Sequence, residues 1–66
     1  MNVDYAHENG YLTIPGTFTK GLEISNWCKE RGWIFEQDYN WYCFQGEIRL
    51  QFREPKNAMI AGLTWG

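Results

Sequence analysis

Apolar and polar residues alternate most cleanly near the end of the chain, where Ile48, Leu50 and Phe52 fall on one side and Glu47, Arg49, Gln51 and Arg53 on the other. A repeat of two marks a strand with one buried face. The same alternation sets Leu12 and Ile14 together over residues 11–14, and Pro15-Gly16 then stops that strand. Over residues 19–31 the period lengthens. Ile24, Trp27 and Cys28 stand at i, i+3 and i+4, the spacing of one helix face. Thr17 or Thr19 is the expected cap at its start, and Gly32 the left-handed residue that ends it. Leu22 lies off this stripe.

Residues 33–36 and 41–44 are rich in aromatic and β-branched side chains and are separated by Gln37-Asp38-Tyr39-Asn40. They read either as one long strand with a bulge or as two strands with a turn. Gln45-Gly46 reverses the chain into the alternating strand. Pro55 suits the first turn of a second helix reaching about Ala61, with Gly62 as its end and residues 63–65 as a short closing strand. At the other terminus, Asn9-Gly10 fits a two-residue hairpin turn, so residues 1–8 are expected either as an extra strand or as a frayed end. The expected order is strand, helix, strand, strand, helix, strand. That is a compact, ferredoxin-like βαββαβ domain of the α+β class, with both helices on one face of an antiparallel sheet. Its core should hold Leu12, Ile14, Ile24, Trp27, Ile48, Leu50 and Phe52.

With 66 residues there is room for a single domain, residues 1–66, and a single core. Chains this short fold marginally unless something supplements the core. Here aromatic residues supply the mass: four Trp, four Tyr and four Phe. Rings in that number can also exceed what so small an interior hides, which leaves some to meet a partner. A formal charge of −2 and a pI near 5.2 lack the basic footprint of a nucleic-acid binder. No apolar run is long enough for a membrane span and no export leader opens the chain, so a cytoplasmic protein without a membrane partner is expected. Two cysteines are too few for a disulfide scaffold.

Candidate chemistry is sparse. Cys28 or Cys43 as a nucleophile would need a base, and His7 is the one histidine. Neither CxxC nor HxxxH spacing is present for zinc, and no glycine-rich phosphate loop occurs. Glu36 with Asp38, or Glu47 with Glu54, reads as solvated surface. A non-enzymatic domain without catalytic residues, metal or cofactor is expected. RNA recognition motifs stack bases on two aromatics of a central strand, but aligning Leu50 and Phe52 with that family's core positions puts Glu47 and Arg49 where the rings belong. Single-stranded nucleic acid, held by Tyr39, Trp41, Arg49 and Arg53, is therefore the disfavoured alternative.

The runs Ile14-Pro15-Gly16, Trp27-Cys28, Phe52-Arg53-Glu54-Pro55-Lys56-Asn57-Ala58 and Leu63-Thr64-Trp65-Gly66 resemble those of small proteins encoded by bacteriophages. The resemblance spans residues 12–66 and implies work in the cytoplasm of an infected bacterium. It carries over no functional residue. The expected function is binding or inhibition of a host protein through a sheet face or edge, with a homodimer as a further alternative. If Ile48, Leu50 and Phe52 face the helices, then Arg49, Gln51 and Arg53 form a row on the other face. Beside them the neighbouring strand must turn outward either Trp41 and Cys43 or Tyr42 and Phe44. The candidate binding residues are Arg49, Gln51, Arg53, Trp41, Tyr39 and Tyr42.

Overall fold

A computed structural model describes residues 9–66. The elements run β1 (Tyr11–Pro15), α1 (Phe18–Glu30), β2 (Tyr39–Phe44), β3 (Glu47–Phe52) and α2 (Pro55–Trp65). The protein is of the α+β class. Among the described residues three strands form an antiparallel sheet in the order β1-β3-β2, so β3 lies between the other two. Both helices cover one face, α1 over β2 and β3, α2 over β1 and β3. The expected segment at residues 1–8 lies outside the described residues.

Register follows from the alternation. Leu12 and Ile14 pair with Leu50 and Ile48, and Tyr39, Trp41 and Cys43 pair with Phe52, Leu50 and Ile48. All of these point toward the helices. Under the helices lies a core of Leu12, Ile14, Ile24, Cys28, Ile48 and Leu50, joined by Tyr39, Phe52, Ala58 and Ala61. Trp27 belongs to its margin and is only half-buried, with Trp33 and Trp65 set edge-on to it.

Local signals explain most boundaries. Gly32 takes φ 90°, and the bonds Gly32 N–H to Lys29 C=O and Trp33 N–H to Cys28 C=O close α1 in a Schellman motif. Thr17 holds the N-cap position of α1, although its side chain makes no capping bond. Gln45 and Gly46, at φ 52° and 78°, form the left-handed pair of a type I′ hairpin turn between β2 and β3.

Two expected strands are not formed. Residues 33–36 make only an isolated bridge, Phe35 with Tyr39. The Asp38 carboxylate accepts the Ile34 N–H at 2.7 Å while the Asp38 N–H bonds the Ile34 carbonyl, and Glu36 sits at φ 71°. These bonds fold the segment into a loop before it can extend. The expected closing strand at residues 63–65 is instead the last turn of α2, which runs through Gly62 to Trp65. Ala58, Ala61 and Trp65 follow one helical stripe, and the Trp65 ring rests edge-on against Trp27, 6.2 Å between centroids. Packing therefore carries the helix past its glycine. Among the described residues the order is β-α-β-β-α.

Candidate binding face

Because side chains alternate along each strand, the face away from the helices is built from Tyr11, Thr13 and Pro15 of β1, Glu47, Arg49 and Gln51 of β3, and Asn40, Tyr42 and Phe44 of β2. Neither helix covers it. The cross-strand rows are Tyr11-Gln51-Asn40, Thr13-Arg49-Tyr42 and Pro15-Glu47-Phe44, with Arg49 at the centre. A concavity of about 510 Å³ lies over this face, lined by Tyr11, Thr13, Asn40, Tyr42, Arg49 and Gln51.

Arg49 is held from three sides. Its Nε and Nη2 donate to Glu47 Oε1 at 3.3 and 3.1 Å, and its guanidinium carbon lies 4.9 Å from the Phe44 ring centroid. A hydrogen bond with Tyr42 and the contact with Glu47 both raise the pKa of Arg49, so it remains a cation. The ion pair runs along one strand rather than across two. Beside it, Gln51 Nε2 lies 3.4 Å from the Tyr11 hydroxyl. Tyr11, Tyr42 and Phe44 are large rings left about half exposed.

The candidate residues separate on this geometry. Arg49, Gln51 and Tyr42 come together on the open face. Arg53 lies one residue past β3, exposed, where its N–H bonds the Asp38 carbonyl and extends the ladder by a step. Tyr39 and Trp41 are on the other side of the sheet. Tyr39 is 2% exposed, and its hydroxyl lies 2.7 Å from Ser25 Oγ, which ties β2 to α1. Burial raises its pKa, more than the Ser25 bond lowers it. Trp41 lies under α1 beside Phe18, 5.4 Å between ring centroids. Both are core-side groups because they share the parity of the residues paired with Leu50 and Phe52. Alternation along β2 left Phe44 as one of two alternatives, outward with Tyr42, and gave no sign of Tyr11 and Thr13. The hairpin position of Phe44 opposite Glu47 decides between the two alternatives, whereas Tyr11 and Thr13 needed the β1 register.

The cysteines differ in setting. Cys28 is buried, and burial pushes its thiol up to about 12, with Arg31 opposing. Such a thiol is a poor nucleophile. Cys43 is exposed on β2. Among the described residues no group of three or more His, Cys, Asp or Glu side chains could hold a metal ion, and no helix is long and apolar enough to cross a membrane. No protein family, curated protein or solved structure matches the chain.

Proposed function

We propose that this chain is a non-enzymatic binding module that engages a protein through the open face of its sheet. The observation that carries this reading is the concavity centred on Arg49, whose guanidinium is already fixed against Glu47 and Phe44 before any partner arrives. Arginines and large aromatics are the residues most enriched in binding hot spots, and a pre-ordered side chain loses little entropy on docking. Partner and location follow from the resemblance to phage-encoded proteins: a host protein, met in the bacterial cytoplasm. The strand order β1-β3-β2 is also our support for a ferredoxin-like relationship, since a split βαβ unit inserts its third strand between the first two.

A nucleic-acid partner fits less well. Glu47 neutralises Arg49 at the centre of the face, and the whole chain carries a charge of −2.

The test compares wild type with Tyr42→Ala/Arg49→Ala as baits in bacterial lysate, with bound proteins quantified by mass spectrometry and folding checked by circular dichroism. The reading requires that a protein enriched by wild type is lost from the folded variant. Equal enrichment by both baits would move the functional surface away from this face.

A further inference from the structure

Among the described residues the sheet has a second unpartnered surface, the outer edge of β2, and its chemistry differs from that of β1. In an antiparallel ladder, residues alternate between those bonded to the neighbouring strand and those whose backbone groups point away. The Arg53 N–H to Asp38 carbonyl bond lies one step beyond the Tyr39–Phe52 pair and fixes the phase. Asn40, Tyr42 and Phe44 therefore bond β3, while Tyr39, Trp41 and Cys43 direct their N–H and C=O groups outward. Some of these are already engaged within the chain. The Tyr39 carbonyl accepts from Glu36 N–H at 2.6 Å, and the Trp41 N–H donates to Asn40 Oδ1 at 2.8 Å. With Tyr39 taken up by its bridge to Phe35, what remains is the Trp41 carbonyl and both backbone groups of Cys43.

Exposed edges are normally blunted by charge or by proline. On β1, Pro15 removes one outward donor. Strand β2, with the sequence Tyr-Asn-Trp-Tyr-Cys-Phe, has neither. Apolar side chains flank it on both faces. Phe18, 60% exposed, lies beside Trp41, Leu22, 47% exposed, follows it one helical turn on along α1, and Tyr42 and Phe44 are 56% and 47% exposed on the open face. An uncharged strand meets no like charge when it lies antiparallel to itself.

We propose that the β2 edge pairs with the β2 edge of a second copy of this chain about a two-fold axis at Cys43, joining two three-stranded sheets into one of six strands. The register follows from the free groups. Residues opposed across an antiparallel pair must point to the same face, which allows the axis to fall on Trp41, Tyr42 or Cys43. The first two require the Trp41 N–H that Asn40 already holds. An axis on Cys43 uses its own N–H and C=O in both directions, and it sets Tyr42 against Phe44 of the second copy on the open face. On the helix side, Phe18 and Leu22 of both copies flank the seam. This contact shares Tyr42 and Phe44 with the border of the Arg49 face, while Arg49 itself lies one strand in from the seam.

Sedimentation equilibrium under reducing conditions reads the prediction directly. Wild type should approach twice the 7.8 kDa chain mass at high micromolar concentration and dissociate on dilution. Copper(II)-phenanthroline should then cross-link the pair through Cys43, two thiols joining as two protons are released and two electrons pass to copper. Cys43→Ser should lose the cross-link but keep the doubled mass. Cys43→Lys, which sets two cations on the axis, should give a folded monomer, as should Leu22→Lys, a change at an exposed helix position. A monomer at every concentration, an absent cross-link, or a doubled mass that survives Cys43→Lys would each overturn the proposal.

Discussion

Gly21 shows how much one missing methyl group can decide. It lies in the second turn of α1 with its Cα against the Trp41 ring, and a Cβ there would occupy the space of the ring atoms. Alanine normally favours a helix interior over glycine by about 1 kcal/mol. Here the sign should reverse, because overpacking of this kind costs roughly 1 to 3 kcal/mol. Urea denaturation of Gly21→Ala should show a lower midpoint than wild type, whereas the same change made in a Trp41→Ala background should raise it. A midpoint raised in both backgrounds would mean that the ring gives way easily. Cys28 and Tyr39 set a second expectation at this scale. Burial raises both pKa values, Cys28 to about 12, so the unfolded chain loses these protons at lower pH than the folded one. Their contribution is intact below pH 9 and is lost as the pH rises toward 12. Circular dichroism should show unfolding in that interval, and Cys28→Ala should flatten the alkaline slope.

Among the elements, β3 matters most because it is the strand bonded on both sides. Leu50 is 2% exposed at its centre, and Leu50→Ala should cost roughly 2 to 5 kcal/mol, enough in so small a domain to threaten folding. An unchanged thermal midpoint would contradict the placement of this residue. The β2–β3 turn offers the opposite test. Gln45 occupies the left-handed region at φ 52°, which costs an ordinary L-residue roughly 1 to 2 kcal/mol and asparagine less. Gln45→Asn should therefore raise the melting temperature. Strands β1 and β3, helix α1 and this turn were legible in the sequence because alternation, helical spacing and glycine position agreed with one another. Residues 33–36 were not, since the Asp38 side-chain bond to Ile34 N–H leaves no trace in the polarity pattern. The tail of α2 was misread for another reason. Gly62 looked like a stop, although Ala58, Ala61 and Trp65 already kept helical spacing across it.

For the whole molecule, the balance of charge on the open face predicts how binding responds to salt. Arg49 enters any complex already paired with Glu47, 3.1 Å away, so docking there releases few counterions. Affinity for a protein partner should change by less than about threefold between low salt and physiological ionic strength, as measured by calorimetry. A loss of several orders of magnitude would indicate phosphate contacts instead. The site was half legible from sequence. Alternation in β3 brought out Arg49 and Gln51, but β2 carries rings on both faces, and only its register against β3 separates outward Tyr42 and Phe44 from inward Tyr39 and Trp41.

The aromatic margin of the core has an optical consequence. Trp27 stands nearly perpendicular to both Trp33 and Trp65, at 5.5 and 6.2 Å between centroids, and the Arg31 guanidinium lies 5.0 and 5.2 Å from the Trp27 and Trp33 rings. Indoles this close exchange excitation energy, and their coupled transitions add bands to the ultraviolet dichroism that helices and strands do not produce. The three rings come from α1, the loop after it and the end of α2, so they separate only when the tertiary structure opens. Intrinsic fluorescence will therefore follow the docking of the two helices upon each other, while Trp41, under the other end of α1, reports on the sheet edge.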